Sequence, residues 1–236
     1  MPSLRTFLCA GAPIPGPLVE KARSELGAKI VSAWGMTELG AVTLTRLDDD
    51  DERAITTDGR PLPGVDVRVV DAYDAALPAG SVGRLLVRSC SGFGGYLHRP
   101  HLNTTDAQGW FDTGDLAYLD ARGYIRISGR SKDVIIRGGE NIPVVEIEAL
   151  LYRHPAIRAA ALVAYPDERL GERAGAVVVT KQGEYVDLPA IATFLKSHKV
   201  AMQYIPEQLL VCDSLPVTPS GKVQKFKLRD LLREGA

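Results

Sequence analysis

The sequence predicts a chain of mixed α/β and α+β structure in two domains. Residues 1–60 combine apolar runs with one helical pattern, residues 61–129 alternate apolar and polar side chains between turns, and residues 130–236 mix short strands with helices. A chain of 236 residues also exceeds the usual size of one domain. We therefore expect a large domain that ends near residue 129, followed by a complete small α+β domain.

The first part is predicted to hold a partial parallel sheet. Residues 4–10 and 29–33 are β-like, and residues 17–26 between them have helical spacing. Strand–helix–strand units form parallel sheets, which bind ligands beyond the carboxyl ends of their strands. The segments G-A-P-I-P at 11–15 and W-G-M-T-E at 34–38 follow the two strands, so both are predicted to lie at that edge.

The middle part is predicted to be antiparallel or barrel-like. Three alternating runs, V-D-V-R-V-V-D, V-G-R-L-L-V-R and G-Y-I-R-I-S, are separated by P-A-G, G-F-G-G and D-A-R-G. The glycine-rich stretch at 89–96 has no nearby lysine and begins no helix, so it is predicted to be a β-loop rather than a phosphate cradle. The acidic run at 48–52 is predicted to be a solvated loop.

The last part alternates strands with helices and closes on a basic helix. Pro143 fits a first helical turn, where its missing N–H costs nothing. The predicted strands are 134–136, 159–165, 174–180 and 208–212, and the predicted helices are 144–152, 188–196 and 225–233.

Composition narrows the classes of function. The net charge of −1 gives no basic field for nucleic acid, and no apolar run reaches the length of a membrane span. The three cysteines are far apart and lack C-x-x-C spacing, which indicates neither a disulfide framework nor a zinc site. The N-terminal apolar run is too short for a secretory signal. We expect a soluble, cytoplasmic protein.

Four short motifs occur in a fixed order: W-G-M-T-E at 34–38, T-G-D at 113–115, G-R-S-K-D-V-I-I-R-G-G-E-N-I at 129–142 and P-S-G-K at 219–222. In this order they resemble the second half of the acyl-adenylate-forming enzymes, which include acyl-CoA synthetases, firefly-type luciferases and peptide-synthetase adenylation domains. The resemblance covers nearly the whole chain. It implies the end of a large AMP-binding domain followed by a small mobile lid domain.

The resemblance also implies an activity, that of an AMP-forming carboxylate–CoA ligase. Its substrates and cofactors are a small carboxylic acid, ATP, Mg²⁺ and CoA, and the intermediate is an acyl-AMP. The family's phosphate loop, of the type T-S-G-T-T-G-x-P-K-G, lies upstream of the W-G-M-T-E type of motif and does not occur in this sequence. We therefore expect a ligase fragment that needs its missing N-terminal half. The first 38 residues look closest to medium-chain or cyclohexanecarboxylate ligases.

Glu38 is the candidate metal ligand. A carboxylate directly after Thr37, at the end of a strand, can hold Mg²⁺ while the hydroxyl meets phosphate oxygens. The alternative is a helix start, with Thr37 as N-cap and Glu38 in the first turn. By resemblance Trp34 packs on the adenine ring, a position that more often holds Tyr. The resemblance adds further nucleotide-binding positions at Gly11, Ala12, Pro13, Gly35 and Met36.

Asp115 and Arg130 are the candidate ribose ligands. One ionised carboxylate can accept hydrogen bonds from two adjacent hydroxyls, which is the role that the resemblance gives to the Asp of T-G-D. Arg130 resembles the second ribose ligand of the family. The alternatives are a turn aspartate beside Gly114 and an ordinary surface arginine.

Lys222 is the candidate catalytic lysine. Pro216 and Pro219 stiffen its loop and Gly221 frees the backbone, so that a long cationic side chain can be presented. An ammonium that contacts the carboxylate and the α-phosphate would stabilise the charge that develops between them. The alternative is one more lysine in a basic tail. A Walker A motif is excluded, because Pro216 stands where its first glycine would be.

Residues 129–142 are predicted to join the two domains. By resemblance they form a hinge about which the small domain rotates between adenylation and thioester formation, and Asp133 is the hinge candidate. Gly138 and Gly139 would line a narrow passage for the pantetheine arm of CoA. The alternative is an ordinary β-turn over R-G-G-E.

Two other classes of function stay open at this point. A non-catalytic remnant or interaction module is the first, because the exposed edge of a partial sheet invites pairing with a separate N-terminal half or with a second copy. An adenylation domain that serves a carrier protein is the second.

Overall fold

The computed structural model describes residues 3–11, 14, 16–219 and 221–234. The chain divides into two compact units, Met1–Ser131 and Lys132–Ala236, each with its own hydrophobic core. Within the described residues, every helix is too short or too polar to cross a membrane.

The first sheet of unit 1 contains the predicted parallel pair. Its strands are β1 (Thr6–Cys9), β2 (Lys29–Met36), β3 (Gly40–Leu44) and β4 (Arg60–Pro61), with helix α1 (Gly16–Leu26) between β1 and β2. The strand order is β1-β2-β3-β4, in which β1 and β2 are parallel and the other pairs are antiparallel. Helix α1 packs on this sheet through Val19 and Ala22, in a cluster with Ile30. The strand–helix–strand prediction is therefore confirmed.

The acidic run at 48–52 is only in part the solvated loop that the sequence predicted, because a helix begins within it. Asp50 is the N-cap of a short helix, α2 (Asp51–Thr56), and its carboxylate accepts a hydrogen bond from the Arg53 amide at 2.9 Å. Asp51 and Glu52 occupy the first turn, where the helix dipole favours negative charge. The acidic residues thus begin a helix rather than merely solvating a loop.

The second sheet of unit 1 is an open antiparallel meander. Its strands are β5 (Val65–Val70), β6 (Gly83–Ser89), β7 (Phe111–Leu119) and β8 (Ile125–Arg130). They are hydrogen-bonded in sequence order, β5-β6-β7-β8, and no pairing closes these described strands into a barrel. The antiparallel prediction is confirmed, whereas the barrel-like alternative is wrong. Leu85, Phe111 and Ile125 lie in a core with Val42 of β3 and with Leu39, which lies in the turn before β3.

Unit 2 is a small α+β structure around one mixed sheet. Its elements in chain order are β9 (Ile136–Arg137), β10 (Glu140–Asn141), α3 (Val144–Leu151), β11 (Ile157–Asp167), β12 (Gly171–Thr180), α4 (Leu188–Ser197), β13 (Gln208–Val211) and α5 (Lys225–Glu234). β11 and β12 form a long antiparallel hairpin, and β13 pairs in parallel with β12. Helices α3 and α4 bury Leu151 and Leu195 in a core with Leu162, which confirms the predicted α+β arrangement.

Two local predictions in unit 2 need correction. The predicted strand at 134–136 is instead the two-residue strand β9, which shares only Ile136 with it, and residues Ser131–Asp133 form a 3₁₀ turn. Pro143 is the N-cap of α3, with φ −75° and ψ 74°, rather than a residue of its first turn. Proline has no N–H to donate, so it is tolerated at either position.

Candidate functional site

Asp115 and Arg130, the two candidate ribose ligands, are neighbours. They stand opposite each other in the register of β7 and β8, and Arg130 Nε lies 2.9 Å from Asp115 Oδ1. Asp115 is buried, with 3% of its surface exposed, whereas 57% of the Arg130 side chain is exposed. A buried carboxylate and an exposed guanidinium side by side offer acceptors and donors to one pair of vicinal hydroxyls.

Hydrogen bonds around Thr113 and Gly114 explain how the backbone of Asp115 is held. The Thr113 hydroxyl donates a hydrogen bond of 2.9 Å to the Leu85 carbonyl and accepts one of 3.1 Å from the Asp115 amide. The Ser131 hydroxyl donates to the Gly114 carbonyl at 2.9 Å, which ties the end of β8 to the same segment. The T-G-D motif is therefore an ordered part of the sheet rather than a free turn.

Thr37 and Glu38 lie in a tight turn between β2 and β3. The Leu39 amide donates to the Met36 carbonyl at 3.1 Å, and β3 begins at Gly40. A strand follows this turn, so the alternative in which Thr37 begins a helix is wrong. Thr37 is exposed and Glu38 is half-buried, which leaves both side chains accessible to a ligand.

The glycine-rich stretch at 89–96 braces this turn, a role that the sequence analysis missed. The Tyr96 hydroxyl donates to Glu38 Oε1 at 2.7 Å, and the Phe93 amide donates to the Glu38 carbonyl at 2.8 Å. The Ser91 hydroxyl donates to the Leu39 carbonyl at 2.6 Å. The prediction that this stretch is a β-loop rather than a phosphate cradle agrees with these contacts. Its two aromatic residues among glycines were the signal for a packing role.

An aromatic cluster fixes Tyr96 in place. The Phe93 ring packs edge-on against Tyr96, with centroids 4.8 Å apart, and against Phe111, with centroids 5.6 Å apart. The hydrogen bond to the Glu38 carboxylate, together with burial, raises the pKa of Tyr96, because ionised Tyr96 would face a negative charge. Tyr96 is therefore a constant donor to Glu38 at neutral pH.

The residues around Glu38 fit a magnesium ion that is shared with phosphates. Among the described residues, no cluster of three or more His, Cys, Asp or Glu side chains could hold a metal ion without other ligands. Mg²⁺ is commonly held by one or two carboxylates together with substrate phosphates and waters. Tyr96 contacts one oxygen of Glu38, so the other oxygen is the candidate metal ligand, and this role stays a prediction.

The remaining candidates of W-G-M-T-E lie on β2. Trp34 and Met36 are half-buried and pack against the core cluster of unit 1. A Cβ atom at Gly35 would come within 2.2 Å of the Gly40 carbonyl oxygen, so only glycine fits this close crossing of β2 and β3. The sequence interpretation of these positions as adenine contacts stays a prediction.

Gly11 lies at the same edge of the sheet. The last paired residues of β1 and β2 are Cys9 and Ser32, and Gly11 and Trp34 each follow two positions later. Both therefore lie beyond the carboxyl ends of a parallel pair, where such sheets bind ligands. The other two candidates of this segment, Ala12 and Pro13, lie outside the described residues.

Lys222 is on an exposed loop of unit 2. Its amide donates to the Thr218 hydroxyl at 3.1 Å, and its carbonyl accepts from the Thr218 amide at 2.8 Å. These bonds hold the backbone of the loop and leave the ammonium group exposed. The geometry suits a lysine that is presented to a ligand.

The hinge candidate Asp133 is attached to unit 2. It lies in the 3₁₀ turn next to the division between Ser131 and Lys132, and it forms an ion pair with Arg229 of α5. The role of Asp133 as a hinge stays a prediction.

Gly138 and Gly139 form the two-residue turn between β9 and β10. Both have positive φ, 59° and 88°, which is the signature of a type I′ hairpin. The alternative of a β-turn is thus the observed local structure. It does not conflict with a passage for pantetheine, which stays a prediction.

Comparison with known proteins matches both units. Residues 1–97 match the family model for AMP-binding enzymes, and residues 146–222 match the model for the C-terminal domain of AMP-binding enzymes. The chain is 42% identical over 235 residues to the medium-chain fatty-acid–CoA ligase of Escherichia coli strain K12, covering 98% of this chain and 41% of that protein. It is 41% identical over 237 residues to enterobactin synthase component E of the same strain, covering 99% and 44%.

The structure of ATP-bound MatB from Rhodopseudomonas palustris is similar to this chain with a TM-score of 0.89. The two are 32% identical, and the alignment covers 96% of this chain and 45% of MatB. The chain thus spans less than half the length of the relatives that it matches.

Proposed function

Because the chain belongs to the AMP-binding enzyme family of adenylate-forming ligases, we propose that it is the second half of an AMP-forming carboxylate–CoA ligase. A carboxylate oxygen of the acid attacks the α-phosphorus of ATP, the bond to the bridging oxygen breaks, and pyrophosphate leaves. The CoA sulfur then attacks the acyl carbon, and AMP and a proton are released. In this proposal unit 1 belongs to the AMP-binding domain and unit 2 is its mobile lid.

The pairing of Asp115 with Arg130 is the observation that carries the proposal. In the free protein the guanidinium satisfies a carboxylate oxygen that is otherwise buried. A ribose would donate both hydroxyls to Asp115 while Arg130 donates to the hydroxyl oxygens. Such a site recognises a nucleotide by its ribose. The base would bind at the edge of the first sheet, near Gly11, Trp34 and Gly35.

Glu38 and Thr37 are assigned to the phosphates. When bound, Mg²⁺ would neutralise phosphate charge and make the α-phosphorus easier to attack. Tyr96 orients the Glu38 carboxylate, and the exposed Thr37 hydroxyl donates to a phosphate oxygen. Thr37 and Glu38 help to hold the triphosphate, Tyr96 acts through Glu38, and none of the three forms a covalent bond to ATP.

Lys222 is assigned to the adenylation step. Its ammonium stabilises the negative charge that accumulates as the carboxylate approaches the α-phosphate. The lid then pivots beside Asp133, and Gly138 and Gly139 admit the pantetheine arm for the second step. The hinge and the passage rest on the resemblance of residues 129–142 to the family motif.

The open edge of β1 supports a need for more protein than this chain. β1 pairs only with β2 among the described strands, and its Phe7 and Leu8 side chains are about half exposed, at 53% and 58%. Parallel sheets are usually covered on both faces. The partner that we propose is the N-terminal half that the relatives possess, which would also supply the phosphate loop; self-association through this edge is the alternative.

The acyl substrate is proposed to be a medium-chain or alicyclic acid. One relative is named as a medium-chain fatty-acid–CoA ligase, which favours a role in fatty acid metabolism. The residues available to an acyl pocket here, Ala10, Gly11, Ala12 and Ala33, are small, so they leave room rather than select. A cytoplasmic location is proposed with it.

A carrier-protein adenylation enzyme is the second candidate. The relative named as a component of enterobactin synthase is almost as similar as the CoA ligase, at 41% against 42% identity. The adenylation step is common to both candidates, and only the thiol acceptor differs. A non-catalytic interaction module is the third candidate.

The experiment combines the isolated chain with an N-terminal half. We expect negligible pyrophosphate release by the chain alone with ATP, Mg²⁺ and a panel of medium-chain and cyclic acids, because the sequence lacks the family's phosphate loop, which would cradle the β- and γ-phosphates. Addition of the N-terminal portion of the Escherichia coli relative should restore release, and CoA should then yield thioester.

Each outcome separates the candidates. Full turnover by the isolated chain would contradict the need for a second half. Acyl-AMP that forms but is not captured by CoA would favour the carrier-protein candidate. If the two halves form a stable complex but make no adenylate with any acid, the non-catalytic interaction module is the candidate that the result favours.

A further inference from the structure

The loop that carries Lys222 is closed at its base like a small hairpin. Val217 and Val223 form an isolated antiparallel bridge, and the Gln224 amide donates to the Pro216 carbonyl at 2.8 Å. Helix α5 starts at the next residue, so Lys222 is only three positions from the helix. The position of the loop therefore depends on how the start of α5 is held.

An ion pair holds the start of α5. Lys225, the first residue of the helix, donates from Nζ to Glu148 Oε1 of α3 at 2.7 Å. The two side chains are 19% and 14% exposed, so this pair is largely shielded from solvent. Glu148 Oε1 also accepts from the Leu162 amide of β11 at 2.7 Å. One carboxylate thus joins α3, the central hairpin and the base of the lysine loop.

The rest of α5 keeps this contact in register. Leu228 and Leu232 are buried against β11 and β12 in a cluster with Val163 and Val177. Arg229 lies one turn after Lys225 and pairs with Asp133. The helix is therefore fixed along its length, and the Lys225 pair sets the point from which the loop emerges.

The position of a catalytic ammonium matters at the scale of one ångström. Misplacement of a reacting group by about 1 Å can lower a rate by roughly 10²-fold. A lysine side chain on a loosely held loop spends most of its time away from the reactive geometry. A shielded ion pair three residues away limits that freedom without contacting the substrate.

We propose that Glu148, acting through Lys225, is a positioning residue for Lys222. The inference deepens the proposed function, because it rests on Lys222 serving the adenylation step. Lys225 and Glu148 hold the base of the loop, and neither contacts ATP or the acid. Their removal impairs adenylation and spares the thioester step, in which Lys222 has no part.

The first test needs no activity. Amide hydrogen exchange is measured on the isolated chain for Lys225→Met and for Glu148→Gln, which keeps an oxygen for the Leu162 amide and removes the negative charge that pairs with Lys225. We expect exchange at Gln224 and Thr218 to be about tenfold faster in both variants. Two controls should leave exchange unchanged. Lys225→Arg keeps the positive charge, and Glu146→Gln removes an exposed carboxylate on α3, the helix that carries Glu148.

The same data show whether the effect is local. The amide of Val177, which does not contact Glu148, reports on the β11–β12 core. Unchanged protection of the loop in both variants would overturn the proposal. So would a uniform loss across the loop and the core, since the pair would then stabilise unit 2 as a whole.

The second test separates this inference from the proposed function. In the complex reconstituted with an N-terminal half, Lys225→Met should slow adenylate formation at least tenfold, less than Lys222→Ala does, and leave thioester formation from supplied acyl-AMP within twofold. Equal loss of both steps would overturn the positioning role. If Lys222→Ala itself left adenylation intact, the proposed function would fail, whatever the exchange data showed.

Discussion

Asp115 and Arg130 form a cross-strand ion pair of 2.9 Å in which the carboxylate is buried and the guanidinium is exposed. A second cross-strand pair, Asp66 with Arg88 at 2.8 Å, joins β5 and β6 in the same unit, but both of its side chains are at least half exposed. The two pairs share their chemistry and differ in burial. The exposed pair is therefore a matched control for the buried one.

Asp115→Asn should weaken nucleotide binding. Hydrogen bonds to a charged group contribute about 1.5–3 kcal/mol, which corresponds to roughly 10- to 100-fold in affinity. Titration of the isotope-labelled chain with AMP, followed by nuclear magnetic resonance, measures this loss. Asp66→Asn should bind AMP as the unaltered chain does. Equal affinities of the two variants would contradict the ribose assignment.

Lys222→Ala should separate the two half-reactions in the reconstituted enzyme. Loss of one preorganised electrostatic contact typically costs about 10²- to 10³-fold in rate, and we expect that loss in adenylate formation only. Thioester formation from supplied acyl-AMP should continue at nearly the normal rate. Pyrophosphate release and CoA consumption are measured separately.

Lys227→Ala is the control for this prediction. Lys227 is an exposed lysine of the same basic segment. A comparable loss of adenylation in Lys227→Ala would mean that the segment contributes only general positive charge.

Tyr96→Phe should weaken the use of magnesium. Without the hydroxyl, the Glu38 carboxylate can rotate away from the metal-binding geometry, so the Mg²⁺ concentration at half-maximal adenylation should rise on the order of tenfold. Tyr73→Phe is the control. It alters a tyrosine that is 90% exposed, and it should leave the Mg²⁺ concentration at half-maximal adenylation unchanged.

A spectroscopic measurement checks the same contact without turnover. The hydrogen bond to Glu38 raises the pKa of Tyr96, so Tyr96→Phe should remove a phenol that ionises late in an absorbance titration at high pH. Glu38→Gln should move that ionisation to lower pH. Unaltered titration in Glu38→Gln would show that the two side chains are not paired in solution.

Asp58 and Asp120 should give opposite pH dependences of stability. Burial raises the pKa of Asp58, and the nearby Arg126 and the Ile127 amide offset this only in part. For Asp120 the effect of burial is outweighed by hydrogen bonds from the Tyr124 amide and Arg53, which lower its pKa. The folded state therefore binds a proton more tightly at Asp58 and less tightly at Asp120 than the unfolded chain does.

The sign of each effect follows from linkage. The free energy of unfolding relative to Asp58→Asn should decrease as pH rises from about 4, the ordinary value for Asp, through the higher folded pKa. Relative to Asp120→Asn, the free energy of unfolding should increase as pH rises through the lowered folded pKa toward about 4. That gain should be retained at higher pH. Urea unfolding at a series of pH values measures both. Slopes of the same sign would contradict this account of the two carboxylates.

Much of the fold was predictable because its signals are local. Apolar periodicity identified β1, α1 and β2, and alternation identified β5, β6 and β8 of the second sheet but not β7. The acidic run at 48–52 was misinterpreted in part, because Asp50 acts as a cap only where the following residues are free to turn into a helix that packs on the sheet.

The candidate site was predictable where a motif kept its residues together in the chain. Thr37 and Glu38 are adjacent, and T-G-D is contiguous. Tyr96 was missed, because 58 positions separate it from Glu38 and only the packing of Phe93 on Phe111 brings its hydroxyl to the carboxylate. Glu148 and Lys225 were missed for the same reason, since 77 positions separate them.

The sequence by itself determined the class of the chain, many of its elements and the candidate site residues, because hydrophobic period, turn residues and short motifs are properties of neighbouring positions. The tertiary structure decided which of those residues are buried, which form ion pairs or hydrogen bonds, and how their side chains are oriented. Asp115 is held against Arg130 by the register of two strands, and Glu38 is oriented by a loop that looked unimportant. Contacts of this kind depend on long-range packing, which no local pattern in the chain specifies.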